Sequence, residues 1–434
     1  MRPSRRLLGA LGLLLALGLG ASIWPEALSI WWVALASLVL TAVADAFGAR
    51  RHASLEMVRQ FSDPLPLHAW REVTLALRNT GTRTLSLEVF DHPPPCFEIE
   101  HLPQRLRLPS GTRAEIRYRV RPSQRGAKQF EPAWLRVDSP LQLWQHSRRA
   151  GVASPVRIYP DLAPIANYIR LAAVQRLDQI GVHRQPRRGE GTEFLQLREY
   201  IPGDALGKID WKATSRLHKL TAREYQDERD QHIVFLLDCG MRMRAHDDFA
   251  SHFDQTLVAM LMLAQVALRQ GDAVGFASFG GPPRWLAPCK GRGRFQQLLR
   301  AVHDLQPTLE PPDYTQAVTE LLRRHPRRAW VIVIGNPRDE DGDDLLPALA
   351  LLQRRHLTVL ACVRESVIDT TLGQPVNDFQ DALRLTATLE FQRQRERLIQ
   401  TLRARHVLTL DVTPGQLSIA LVNRYLGLKT GQLR

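Results

Sequence analysis

The sequence predicts a multi-domain chain with three parts: an N-terminal transmembrane helical hairpin, a β-sandwich-like module and a C-terminal doubly wound α/β domain. Three observations carry this. Two adjoining apolar stretches open the chain. Short alternating runs punctuated by Gly and Pro turns follow. Continuous apolar runs then alternate with helical spacing. The expected boundaries are 1–49 for the hairpin, 50–160 for the β-rich module, 161–230 for a polar signature segment and 231–434 for the α/β domain.

The apolar stretches run from Leu7 to Ile23 and from Ala27 to Phe47, separated by Trp24, Pro25 and Glu26. A bilayer core needs about 20 mainly apolar residues per helix. The second stretch reaches that length, and the first is slightly short, with Arg5 and Arg6 able to snorkel at its end. Arg2, Arg5 and Arg6 precede the first stretch, Arg50, Arg51 and His52 follow the second, and the turn has no cation. Lys and Arg favour the cytoplasmic side, so both ends and the long remainder of the chain are expected inside. Trp24, Trp31 and Trp32 suit the headgroup layer at the turn. The rival reading is a secretory signal peptide over Met1 to Ser22, after which the second stretch would still anchor the chain.

Lys and Arg total 58 against 44 acids, a formal net charge of +14. Such an excess suits an anionic lipid bilayer surface or an acidic partner. The arginines are scattered and no aromatic-basic motif occurs, which disfavours nucleic acid. Cys96, Cys239, Cys289 and Cys362 form no C-x-x-C pair, so neither a zinc knuckle nor a disulfide framework is indicated.

In the β-rich module, Val73 to Leu77 and Leu85 to Val89 alternate about Asn79-Thr80-Gly81, which reads as a hairpin. Leu106 to Leu108, Glu115 to Val120 and Trp134 to Val137 add further strands. Short strands at regular spacing predict a small sandwich with a structural or docking role.

The signature segment begins with a helical pattern over Ile169, Leu171, Val174, Leu177 and Ile180. It is densest in Glu193, Arg198, Glu199, Tyr200, Pro202, Gly203, Asp204, Asp210, Trp211, Lys212, Arg223, Glu224 and Tyr225. Pro202-Gly203-Asp204 must turn, and Trp211 is expected as a buried anchor. Two readings stand side by side. Glu193, Glu199, Asp204 or Asp210 serves as acid, base or metal ligand, or Arg–carboxylate pairs lock an irregular segment. No His or Cys cluster accompanies the acids, which favours the second.

From Gln231 the strands are His232–Leu237, Asp272–Phe279, Trp330–Ile334, Leu357–Val363 and Val407–Val412. The helices are Phe249–Arg269, Phe295–Leu305, Tyr314–Arg324, Leu345–Arg355, Ala382–Ala404 and Gly415–Leu426. Apolar strands between helices imply a parallel sheet covered on both faces, with ligands at the carboxyl ends of its strands. Asp238 and the loop after Ile334 are therefore the places to look.

The run Gly189-Glu190-Gly191-Thr192-Glu193-Phe194, then Leu197-Arg198-Glu199-Tyr200-Ile201-Pro202-Gly203-Asp204, Ile209-Asp210-Trp211-Lys212-Ala213 and Arg223-Glu224-Tyr225, resembles the signature of a bacterial family catalogued as domain of unknown function fifty-eight. Asp138-Ser139-Pro140-Leu141 with Leu143-Trp144 resembles the family's turn before the signature, with Gln142 where a Gly is usual. The resemblance implies an inner-membrane protein ending in a von Willebrand factor A-like domain. It also implies partnership with a MoxR-type ATPase of the AAA+ class, in protein maturation or envelope stress, the client being unknown. No Gly-x-x-x-x-Gly-Lys loop occurs, so any ATP chemistry falls to the partner.

The A-like resemblance also implies a Mg²⁺ site of the Asp-x-Ser-x-Ser type, with a Thr and a second Asp from later loops. Here the chain reads Asp238-Cys239-Gly240-Met241-Arg242. Gly240 has no side-chain oxygen and Arg242 brings a cation. Thr315 matches the Thr, and Asn336, Asp339 and Asp341 lie near the place of the second Asp. A hard cation needs several oxygen ligands, so Asp238 and Thr315 mark a degenerate site, no cofactor is expected, and an Asp238–Arg242 salt bridge is the simpler expectation. The functional expectation is a membrane-anchored protein-interaction module that is not itself an enzyme. The alternative is a hydrolase using the signature acids.

Overall fold

The computed structural model describes residues 1–21, 24, 27–51, 55–163, 165, 193–201, 207, 209–226, 231–247, 250–291 and 293–429. It forms two compact units, Met1–Asp161 and Leu162–Arg434.

The first unit opens with strand β1 (Arg2–Pro3) and helices α1 (Arg5–Ala21) and α2 (Ala27–Arg51). Among the described residues one helical segment, Leu28–Gly48 within α2, is long and apolar enough to cross a membrane. Helix α1 has 17 residues, about 25 Å against a hydrocarbon core of about 30 Å. Of the expected pair of spans, one is thus seen at full length. The two helices nevertheless pack together. Trp31 Nε1 donates to the Leu14 carbonyl at 2.8 Å, and Gly18 admits the indole where a Cβ would lie 2.9 Å from Nε1. Both helices present leucines, valines and isoleucines outward, among them Leu13, Leu15, Leu19, Ile30, Val33 and Leu40.

The strands that follow are β2 (Leu55–Gln60), β3 (Leu65–Pro66), β4 (Arg71–Asn79), β5 (Leu85–His92), β6 (Phe97–Glu100), β7 (Gln104–Leu108), β8 (Arg113–Pro122), β9 (Gly126–Asp138), β10 (Trp144–Ala150) and β11 (Ser154–Tyr159). They make a four-stranded sheet, β2-β4-β8-β6, and a seven-stranded sheet built around β9. Val73, Leu75 and Leu77 from one sheet and Leu85, Leu87 and Val89 from the other share one core. The hairpin expected from Val73 to Val89 is therefore corrected. β4 pairs with β2 and β8, and β5 with β7 and β9. The chain crosses the core at Asn79, whose buried amide donates to the carbonyls of Arg83, Leu108 and Pro109. Alternation sets which face is buried and says nothing about which strand lies alongside.

Arg59 of β2 pairs with Asp91 of β5 at 2.5 Å, the side chains 2% and 0% exposed. Tyr118 of β8 also donates to Asp91, so one buried carboxylate ties the two sheets. Asp45, near the end of α2, is a second buried acid. It accepts from the Ser139 hydroxyl and from the Leu141 N–H at 2.8 Å and Leu143 N–H at 3.1 Å. Trp144 Nε1 adds a bond to the Ala42 carbonyl at 2.8 Å. The turn before β10 is thereby fixed to the helix. Gln142 holds a left-handed φ of 60° in that turn, which explains why glycine suits the position.

In the second unit, strands β12 (Glu193–Glu199) and β13 (Thr221–Gln226) enclose helix α3 (Trp211–Leu217). After them come β14 (His232–Asp238), β15 (His246–Asp247), β16 (Ala250–Ser251), α4 (His252–Arg269), β17 (Ala273–Phe279), β18 (Trp285–Cys289), α5 (Arg294–Val302), α6 (Tyr314–Arg324), β19 (Trp330–Gly335), α7 (Gly342–Gln353), β20 (Leu357–Val363), α8 (Ser366–Gly373), α9 (Phe379–Ala404), β21 (Leu408–Val412) and α10 (Pro414–Lys429). The sheet runs β18-β17-β14-β19-β20-β21, parallel except for edge strand β18. Successive residues of β14 serve opposite faces. Ile233, Phe235 and Leu237 pack with Met260 of α4, Leu298 of α5 and Leu421 of α10. Val234 and Leu236 pack with Val318 of α6, Leu349 of α7 and Leu402 of α9. Full burial of such a side chain is worth about 1.5–3 kcal/mol, so this sheet is a rigid platform for the loops at its ends.

Candidate functional site

The signature residues form a small unit of their own. β12 and β13 pair antiparallel, with Leu197 opposite Arg223 and Glu199 opposite Thr221. Tyr200 N–H extends the ladder to the Leu220 carbonyl at 2.8 Å. Asp210 caps α3, one oxygen accepting from the N–H groups of Lys212 and Ala213, each at 3.0 Å. Its other oxygen accepts from Arg223 Nε at 2.8 Å. The Arg223 bond and the Ala213 N–H hold its carboxyl below the usual range. A carboxylate engaged on both oxygens is a structural cap, the Arg–carboxylate arrangement expected from the sequence. Glu199 lies exposed on the strand, and Arg198 Nη1 donates to its backbone carbonyl at 3.0 Å. Glu193, Glu224 and Tyr225 take their places in the ladder by backbone. Pro202, Gly203 and Asp204 lie outside the described residues, as does the helical pattern from Ile169 to Ile180.

Trp211 corrects an expectation. It is 68% exposed, not a buried anchor. It opens a seven-residue helix in which no residue is buried, so the indole projects from the motif. Leu197, Ile201, Leu217 and Leu220 of the same motif are exposed as well.

The second candidate site lies at the carboxyl ends of β14, β17 and β19. Asp238 is 1% exposed. Its Oδ1 accepts from the Gly240 N–H at 2.7 Å, and its Oδ2 has no hydrogen-bond partner among the described residues. Gly240, Gly280 and Gly335 enclose it. A Cβ on Gly240 would fall 2.9 Å from Oδ1, and one on Gly335 3.1 Å from Oδ2. Gly280 also needs its positive φ of 67°. Burial pushes Asp238 up to about 7, opposed by the Gly240 N–H and aided by the charge of Asp341. The buried Tyr314 hydroxyl is likewise without a partner, and burial together with the Asp238 charge holds it well above the ordinary tyrosine range.

The expected Asp238–Arg242 salt bridge is not formed. Arg242, in the turn Met241–Arg244, binds Asp341 and, at 2.8 Å, Glu340. The acidic turn Asp339–Asp341 offers it one exposed and one partly buried carboxylate, whereas Asp238 is sealed behind glycines. Asn336 is drawn away too, donating to Glu365 at 2.7 Å and accepting from Arg395 at 2.9 Å. Thr315 is exposed and its N–H and hydroxyl face Asp344. Thr315, Asn336 and Asp341 are thus each bonded to partners other than Asp238. One carboxylate, no nearby hydroxyl ligand from Gly240 and an arginine beside it do not fit the oxygen cage of Mg²⁺. Among the described residues no group of three or more His, Cys, Asp or Glu side chains is placed to hold a metal. Tyr314 and the glycines at 280 and 335 escaped sequence reasoning. The signal was present in the Gly-Gly and Gly-Asn pairs that end two strands.

Residues 196–399 match the family model described as protein of unknown function DUF58. The chain is 25% identical over 145 residues to the uncharacterized protein YeaD of Bacillus subtilis, covering 33% of this chain and 34% of that one. It is 23% identical over 182 residues to the uncharacterized protein Rv1480 of Mycobacterium tuberculosis, covering 41% and 57%. These matches span about a third to just over half of the relatives' length, and they support the resemblance drawn from the signature. A solved PapD-like domain of human CEP192 aligns with 25% of this chain and 88% of its own, at 15% identity and a TM-score of 0.21.

Proposed function

We propose that this chain is a membrane-anchored protein-interaction module. It is held by α2 as a full-length span and by the shorter α1, which packs against α2 and completes a second crossing with Arg5 and Arg6 snorkelling at its end. Both ends of the pair and the bulk of the chain then lie on the cytoplasmic side, and the chain docks a partner through the exposed face of the signature motif. The observation that carries this is Trp211, 68% exposed on a helix capped by Asp210, whose carboxylate Arg223 holds in turn. Exposed aromatics on a fixed element are the usual anchors of protein interfaces, and neighbouring apolar side chains enlarge the patch. The strand order and the two helical layers support a doubly wound, von Willebrand factor A-like reading of the second unit. The family resemblance supplies the partner, a MoxR-type AAA+ ATPase acting in protein maturation or envelope stress.

The test is crosslinking from membranes, with mass spectrometry of the adducts, comparing the parent with Trp211→Ser. The substitution removes an exposed side chain and leaves the cap intact. Loss of ATPase adducts with an unchanged melting curve is the expected result. Equal adduct yields from parent and variant would refute docking through Trp211.

A further inference from the structure

At the opposite end of the parallel sheet, where strands begin, lies an open cleft of about 380 Å³ lined by Arg328, Arg354, Arg355, His356, Thr358 and His406, with no carboxylate among its lining residues. Its size falls within the range of small-molecule sites. Three chain segments build it. Arg328 precedes β19, Arg354-Arg355-His356 links α7 to β20, and His406 precedes β21. The three arginines are exposed, and none pairs with an acid among the described residues.

Arginines just past a helix C-terminus are ordinary, because they complement the helix dipole. That does not account for what lies beneath them. His356 is 4% exposed and Thr358 3% exposed. Neither ring nitrogen of His356 nor the Thr358 hydroxyl has a hydrogen-bond partner among the described residues. His325 stacks on His356 with ring centroids 6.4 Å apart, and its Nε2 lies 3.4 Å from His232 Nδ1. Burial, with His325 and Arg355 adding, pushes His356 down to about 4, so near neutral pH its ring offers one donor and one acceptor. Unpartnered polar groups in a cleft lined by three arginines without acid partners among the described residues match an oxyanion, and planar guanidinium forks match phosphate oxygens in particular.

We propose that this cleft binds a phosphate group, carried either by a small phosphorylated molecule or by a lipid headgroup. The site is separate from Asp238 and from the signature motif, and it does not rest on the docking function.

The test is calorimetry on the full chain in neutral detergent at low salt. Inorganic pyrophosphate is one probe and water-soluble dihexanoyl-phosphatidylglycerol the other. Saturable binding of at least one probe is expected, weakened about tenfold or more by the double variant Arg354→Glu, Arg355→Glu. Both positions are exposed, so the fold survives, as an unchanged melting temperature verifies. Thr358→Val weakens binding as well. Tighter binding of pyrophosphate assigns a small phosphorylated ligand, and tighter binding of the lipid assigns a headgroup. Absence of saturable binding by either probe, or equal affinity in the double variant, overturns the proposal.

Discussion

Asp238, buried with one oxygen unpartnered among the described residues, sits in an environment far from that of an exposed carboxyl. An unfolded aspartate titrates near 3.8, and in the fold the group is pushed up to about 7. Protonation therefore favours the folded state. This contribution is complete below about pH 4 and is lost as pH rises through about 7. Asp238→Asn keeps the volume and the acceptor for the Gly240 N–H while removing the charge. The variant is expected to be more stable than the parent above pH 7, by up to about 4 kcal/mol, with the difference closing near pH 4. Melting curves across that range check it. The opposite case is Asp91, a buried carboxylate with Arg59 and Tyr118 as partners. Asp91→Ala strands the Arg59 cation and should cost about 3–5 kcal/mol, read as a lower melting temperature of the first unit. Gln142 offers a gain. Its φ of 60° favours glycine, and Gln142→Gly is expected to stabilise by about 1 kcal/mol.

At the scale of elements, the β12–α3–β13 motif depends on Asp210, which joins the helix cap to Arg223. Asp210→Asn should loosen the motif. The expected sign is faster amide exchange at Lys212 and Ala213, with β14 and β19 unaffected. Unchanged exchange would mean that the cap is dispensable. Elements with strong patterns were legible in the sequence. Tyr314–Arg324 and Leu357–Val363 fall where apolar spacing placed them. Strand β18 was not, because it is short, contains Pro288 and sits at the edge, where little apolar burial marks it. Helix α8 buries only Ile368 and left an equally weak trace. The pairing of β4 and β5 was misread because two strands facing one core from opposite sheets alternate as a hairpin does. Trp211 was misread for a related reason: an indole among charged residues looks like an anchor, and only the surrounding fold decides whether it anchors inward or outward. The fate of Arg242 was equally hidden, since its partners lie about a hundred positions away in sequence.

At the scale of the molecule, the chain carries an apolar N-terminal helix and, in its second unit, an α/β platform with a sealed acid at one end and a basic cleft at the other. The proposed topology puts the interaction surfaces on the cytoplasmic face of a membrane. Protease digestion of spheroplasts and of inverted membrane vesicles, followed with an antibody to the second unit, addresses this most directly. The expected result is a second unit protected in spheroplasts and digested in inverted vesicles. Digestion from the outer face of spheroplasts, or recovery of the whole chain in the soluble fraction, would contradict it.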